Sequence, residues 1–397
     1  MRHLPRKENL ASYLTQIEHA ISPKPHTSMY LMHKYWARKP YNVVAEYIEH
    51  YSKKGEIVLD PFSGSGVTAI EAVKHGRKAV AIDLDPISTF ITRMTLIPID
   101  LNAFKKTFEQ IKLDIKDEIK GLYSVECPKC GKKATILASV WSREKNQPTE
   151  FRLLCPKCKK KFKKKPTVKD LEYVSKIEKK KIPYWYPKDE LKYENGKEFN
   201  KKEIVGDIPS LFTKRNLTAL SILWNRIELI ENPKIRDLMK FTFTSRVHLA
   251  SKMCPVAKAG GNSHWSELSS TSFWALQSFW VPPIFMESNV WMLFESGVIG
   301  KQGIIKGKEE VRKTIGEVKE AKTFDELKDD CNILMCTQSA LSLKNSPAKI
   351  QDDSIAYVFT DPHMAVLFNT ESLQHFGCHG LKEKKMTQNL HHVLMKK

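Results

Sequence analysis

The sequence predicts an α/β fold, a doubly wound sheet whose strands are split by a long insertion. Three observations carry that reading. A strand-like apolar run, a glycine turn, a helical stretch and a second apolar run follow one another between residues 57 and 83, the order that opens a doubly wound sheet. Apolar runs of strand length return at residues 332–335 and 355–360. Between these parts, lysines and paired cysteines replace apolar periodicity. The sheet is therefore expected to be discontinuous, interrupted between about residues 120 and 325.

Each element has a local reason. After Pro40, the residues Val43, Val44, Tyr47 and Ile48 recur at helical spacing. The run Ile57-Val58-Leu59 ends at Asp60, a helix is expected over 67–75, and Ala79-Val80-Ala81-Ile82 ends at Asp83. Residues 125–202 look like a small inserted domain with a charged linker. Leu217, Leu220, Leu223, Trp224 and Ile227 bring helical spacing back. Residues 262–295 are rich in Trp, Ser and Pro, and 308–328 reads as a charged helix. Trp265, Trp274, Trp280 and Trp291 read first as core and second as base-stacking groups. Asp207, Glu228 and Glu287 read as surface or capping groups rather than catalysts.

The chain has 397 residues, 41% hydrophobic, and a mean hydropathy of −0.40. It shows no apolar run of membrane-spanning length and no signal-peptide core, so a cytoplasmic location without a membrane partner is expected. The net charge of +20 points to a polyanion, since lysines and arginines that neutralise phosphates release counterions. A solvated lysine-rich surface is the plainer alternative.

The strongest chemical signal is Leu59-Asp60-Pro61-Phe62-Ser63-Gly64-Ser65-Gly66-Val67-Thr68. A strand delivers Asp60 to the carboxyl edge of the sheet, where open α/β folds bind ligands. Gly64 and Gly66 let backbone pass close to a ligand, and Thr68 falls in the first turn of a helix, near free backbone donors. Asp83 ends the neighbouring strand, where such folds set an acid against ribose hydroxyls. The third glycine of the dinucleotide fingerprint is missing, and no Gly-Lys-Ser/Thr follows as in a P-loop. A ligand with a ribose but no phosphate fits, and S-adenosylmethionine is one.

The string Asp-Pro-Phe-x-Gly-Ser-Gly-x-Thr resembles motif I of the methyltransferases that act on amino groups of adenine or cytosine in DNA. It is also similar to motif I of some tRNA guanine methylases. Ala81-Ile82-Asp83-Leu84-Asp85-Pro86 is similar to the family's second motif, and residues 33–42 resemble its motif X, which helps hold the methionine end. Phe212-Thr213-Lys214-Arg215-Asn216-Leu217 and Trp280-Val281-Pro282-Pro283 also resemble stretches of such methylases. The resemblance implies that Asp60, Pro61, Phe62, Gly64, Gly66, Thr68 and Asp83 bind S-adenosylmethionine. It implies duplex DNA as partner, with restriction or defence-system proteins as further partners.

Cys127-Pro128-Lys129-Cys130 and Cys155-Pro156-Lys157-Cys158 form two Cys-x-x-Cys pairs, with 24 residues between Cys130 and Cys155. Two intervening residues let both thiolates reach one tetrahedral ion, and four thiolates leave no open position, so Cys127, Cys130, Cys155 and Cys158 are expected to hold a structural zinc. Seven lysines between Cys155 and Lys165 suit phosphate contacts or a solvated basic face.

The family's catalytic motif is Asp/Asn-Pro-Pro-Tyr/Phe at the end of a strand. Asp361 and Pro362 follow the expected strand and are the catalytic candidates, orienting the amino group of a base extruded from the duplex. His363 and Met364 then stand where the second proline and the aromatic belong. One base added after the Pro362 codon can restore Pro-Pro-Tyr-Gly-Gly, so a frameshift there is expected, with a truncated domain and a non-native tail.

The fold class is thus an incomplete Rossmann-like methyltransferase sheet with an inserted zinc ribbon and a mainly helical insert. Residues 1–120 would carry the N-terminal part of the methyltransferase domain and 121–205 the zinc ribbon with a basic linker. Residues 206–325 would be a mainly helical target-recognition region, and 326–397 the returning strands. The expected function is site-specific DNA methylation at adenine N6 or cytosine N4. The alternatives are RNA base methylation, or a non-catalytic zinc-ribbon binder of nucleic acid; the long separation of Asp60 from Asp361 favours DNA over RNA.

Overall fold

The structure is a computed structural model and describes residues 16–35, 38–191, 206–256 and 281–360. Two compact units divide these residues: one takes the chain up to Pro98 and again from Ile305 onward, the other takes Ile99–Ile304. Asp361, Pro362, Trp265, Trp274 and Trp280 lie outside the described residues.

The first unit begins with α1 (Ser28–Leu31) and α2 (Tyr41–Tyr51), whose buried face is Val44, Ala45 and Ile48. Then come β1 (Ile57–Asp60), α3 (Val67–Lys74), β2 (Lys78–Asp83) and α4 (Pro86–Leu96). Asp85 caps α4 by accepting the Ile87 N–H at 3.1 Å, and Pro86 sits at its first position, where a missing N–H costs nothing.

The second unit opens with α5 (Leu101–Leu122), capped by Asp100 and burying Phe104, Phe108, Ile111, Ile115 and Ile119 along one stripe. An antiparallel sheet follows: β3 (Ser124–Glu126), β4 (Lys133–Ser142), β5 (Gln147–Cys155) and β6 (Lys160–Lys164). Then come α6 (Val168–Lys179), with a capping box from Thr167 and Asp170, α7 (Lys214–Glu228) and α8 (Pro233–Val247). The stretch that reads as Trp-, Ser- and Pro-rich supplies a strand, β7 (Ile284–Ser288), antiparallel to β4 from Ala138↔Ser288 to Ser142↔Ile284. α9 (Val290–Ile299) follows and buries Trp291 against Phe108 and Phe294, the core role expected of it.

The remaining elements are α10 (Ile304–Thr314), β8 (Glu320–Ala321), α11 (Phe324–Lys328), β9 (Ile333–Thr337) and β10 (Tyr357–Val358). The charged helix expected over 308–328 is therefore two helices with a strand between them. Gly316, at φ +83°, takes a left-handed conformation that ends the first. The sheet of the first unit is parallel throughout, in the order β10-β1-β2-β9-β8. Alternate residues of its strands serve two cores. Val58, Ala79, Ala81, Ile333 and Met335 pack with Val44, Ile48 and Ile70; Leu59, Val80, Ile82 and Leu334 pack with Phe324 and Leu327. Apolar residues on both faces explain why these strands read as continuous apolar runs. Among the described residues no helix is long and apolar enough to cross a membrane.

Candidate functional site

Parallel strands bring their carboxyl ends to one edge, and there β1 and β2 present Asp60 and Asp83. The chain leaves β1 in a turn pinned to β2: Ser63 N–H donates to the Ile82 carbonyl at 2.8 Å, and Gly66 N–H donates to the Ser63 carbonyl at 2.8 Å. Gly64 N–H donates to Asp83 Oδ2 at 2.7 Å, while Asp83 Oδ1 accepts the Asp85 N–H at 2.9 Å. Gly64 and Gly66 have φ of +51° and +75°. A Cβ at Gly66 would overlap the Thr92 side chain of α4, and one at Gly64 would lie 3.0 Å from the Tyr35 ring. The glycines thus admit protein side chains as well as a left-handed backbone.

Burial raises the Asp60 carboxyl to about 6, although Thr68, the Phe62 N–H and Lys39 favour its ionised form. Thr68, expected near free backbone donors of the helix, gives its hydroxyl to Asp60. Asp85 is also raised to about 6, by burial first and by Asp83 second. At this strand edge the buried Ser63 Oγ and Asp85 Oδ2 have no protein partner. Phe62 is 39% exposed, an aromatic ring facing solvent beside the turn.

Sequence reading missed two residues here, although both fall in the motif X-like segment. The Tyr35 hydroxyl lies 3.2 Å from Ser88 Oγ, and its phenol proton is held by burial and by the charge of Asp83. Arg38 donates through Nε to Ser65 Oγ at 3.1 Å and through its terminal nitrogens to the carbonyls of Tyr30 and His33. Burial lowers Arg38 only to about 10, so it remains charged at neutral pH.

In the second unit the four cysteines come together, their sulfurs all within 4.8 Å of one another. Cys127 and Cys130 occupy the turn between β3 and β4, and Cys158 lies in the turn that follows Cys155 at the end of β5. The β4–β5 hairpin accounts for the long spacer between the pairs. Each pair is followed by a left-handed residue, Gly131 at φ +68° and Lys159 at φ +52°. Cys130 and Cys155 sulfurs are 3.6 Å apart, and those of Cys127 and Cys158 4.0 Å.

Glu287 does not fit the surface reading: it is 2% exposed. It accepts from Trp141 Nε1 at 2.7 Å, from Thr213 Oγ1 at 2.5 Å and from the Arg215 guanidinium. Burial opposes its charge, but Arg215 and these donors outweigh burial and hold the carboxyl below its usual range. Asp207 and Glu228 do behave as capping or pairing groups: Asp207 accepts the Ser210 N–H at 2.8 Å and Glu228 lies 3.0 Å from Lys240.

Residues 5–89 match a family of proteins described as DNA methylase. The segment that builds the glycine turn lies inside this match. The type II methyltransferase M.MjaII of Methanocaldococcus jannaschii is 28% identical over 89 residues, which make up 22% of this chain and 16% of that relative. No solved structure matches. The matched segment takes in Tyr35, Arg38, the turn and both strand-end carboxylates, and stops short of the four cysteines.

Proposed function

We propose that this protein is an S-adenosylmethionine-dependent DNA methyltransferase, on a Rossmann-like sheet, acting on adenine N6 or cytosine N4. A structural zinc ion would sit at Cys127, Cys130, Cys155 and Cys158. The observation that carries the reading is the meeting of Gly64 with Asp83 within the segment that matches the DNA methylase family.

The residues suit such a ligand. Each Asp83 oxygen already accepts one N–H, and a carboxylate oxygen has a second acceptor site. Ribose hydroxyls would be accepted at these oxygens. Ser63 Oγ and Asp85 Oδ2 are left for further polar groups of the ligand, and Phe62 offers an apolar face to its adenine. Asp60, once ionised, balances positive charge at the strand end. S-adenosylmethionine supplies an electrophilic methyl group on a cationic sulfur. Pro61, Gly66 and Thr68 act by shaping the turn. Asp361 and Pro362 are assigned to the target: the carboxylate and the following carbonyl accept hydrogen bonds from the amino group and aim its lone pair at the methyl.

The sulfur spacings of 3.6 and 4.0 Å bracket the edge of about 3.8 Å that a tetrahedron with Zn–S of about 2.3 Å requires. Four sulfur ligands close that shell, so zinc would hold the sheet together rather than activate water.

Calorimetry with S-adenosylmethionine tests the cofactor assignment, and labelled methyl transfer to duplex DNA against tRNA tests the reaction. Saturable binding and transfer to duplex DNA are expected; a folded sample that fails to bind the cofactor overturns the reading. Metal analysis should return one zinc per chain. One observation favours a second reading. His363 and Met364 replace the motif's second proline and aromatic, which fits a protein that binds cofactor and nucleic acid without transferring methyl.

A further inference from the structure

More than half of the chain's net charge is concentrated in a short stretch. Residues 124–181 contain 18 Lys and Arg against 6 Asp and Glu, +12 of the total +20. The acids are partly consumed within the unit: Glu126 pairs with Lys169, Glu150 lies 3.1 Å from Arg152 and 3.9 Å from Lys163, and Asp170 lies 2.8 Å from Lys164. Among the described residues Lys157, Lys159, Lys160, Lys161 and Lys165 are in no ion pair, and all five are exposed.

The register of β6 sorts these lysines. Lys160, Phe162 and Lys164 stand opposite Cys155, Leu153 and Phe151, the buried side of β5. Lys161 and Lys163 alternate with them and so point to the other face, and all three of Lys161, Lys163 and Lys165 are exposed. Successive side chains on one strand face are about 6.7 Å apart, enough for neighbouring ammonium groups to meet separate phosphates. Among the described residues β6 pairs on one side only, with β5. Lysines on an edge strand can serve simply to block pairing with another chain. Lys161 and Lys163 on one exposed face, with exposed Lys165 just past the strand and Lys157 and Lys159 in the adjoining turn, amount to a positive surface.

We propose that the exposed face of β6, with Lys161, Lys163 and Lys165, binds the phosphate backbone of duplex DNA and holds the substrate independently of its base sequence. This rests on the DNA methyltransferase reading and names the surface that engages its substrate.

The test uses the full chain. K161Q/K163Q/K165Q is compared with wild type and with K301Q/K306Q/K313Q, a control that removes the same charge from exposed lysines elsewhere. Binding to a labelled duplex is measured over a series of salt concentrations, alongside zinc content and cofactor affinity. The logarithmic salt slope should fall by about 2 to 3 in the β6 variant, since each lost phosphate contact removes about 0.9. The control slope should stay within one contact of wild type, and zinc content and cofactor affinity should be unchanged. An unchanged slope in the β6 variant overturns the proposal, as does an equal fall in the control. A fall seen with duplex RNA and not with duplex DNA also overturns it. Failure of wild type to bind cofactor is a separate result, which removes the methyltransferase reading and leaves the salt slopes to be judged alone.

Discussion

Asp60, Asp83 and Asp85 in the first unit and Glu287 in the second are all carboxylates drawn out of bulk water, yet their surroundings differ. Glu287 receives donors on both oxygens and faces an arginine that is itself buried. Its charge is matched inside the protein, and its acidity is strengthened. Asp60 and Asp85 are weakened as acids by burial, and Asp85 keeps one oxygen without a partner. The difference teaches that burial of charge alone does not mark a binding site. Arg215 Nη1 lacks a partner as well, so spare hydrogen-bond capacity points to a ligand only where, as at Asp85, it lies beyond the carboxyl ends of the parallel strands.

The comparison is broken most directly at Glu287. Glu287→Ala should destabilise the protein by about 3–5 kcal/mol in denaturant unfolding, because it leaves Arg215 buried without its partner. The double replacement Arg215→Met with Glu287→Leu should lose much less, since paired removal strands no charge. If the single variant unfolds like wild type, Glu287 is not held as described. Next in size is Gly66→Ala, which meets Thr92 at a left-handed backbone position. It should lose about 2–4 kcal/mol from overpacking and backbone strain together, partly recovered by adding Thr92→Ala.

Asp83→Asn should differ from Glu287→Ala. Its amide keeps one acceptor and sets an NH2 against the other backbone N–H, so stability should fall by about 1–2 kcal/mol, well short of the loss in Glu287→Ala, while cofactor affinity drops by about 10- to 100-fold. A stability loss as large as that of Glu287→Ala would erase the distinction between the two clusters. The smallest effect is one of pH. A raised carboxyl binds its proton more tightly folded than unfolded, so Asp60 favours the folded apoprotein at low pH. That stability is lost as pH rises from about 4 towards 6. A cationic ligand prefers the ionised form, so cofactor affinity should rise up to tenfold per unit until about pH 6 and then level off. Asp60→Asn should flatten that rise; a rise that persists in the variant assigns it to another group.

Local features of this fold were legible. The runs ending at Asp60 and Asp83 became β1 and β2 because both faces of a central parallel strand are buried, and the two cysteine pairs converge because hairpin turns place them side by side. What escaped was non-local. Arg215 and Glu287 lie 72 residues apart, and no periodicity links them. Thr92 fills the space at Gly66, and the register of β7 on β4 depends on a strand more than a hundred residues earlier. Tyr35 and Arg38 could have been noticed as polar residues in a conspicuous segment, but their partners could not be named without the turn in place.

The pairing of β7 with β4 governs how this protein can be dissected. A fragment cut to hold only the cysteine-bearing hairpins would leave the flank of β4 bare from Ala138 to Ser142, and would strip Trp141 of its acceptor on Glu287. Such a piece should clump through its exposed seam, whereas one extended past Ser288 keeps that seam stitched shut.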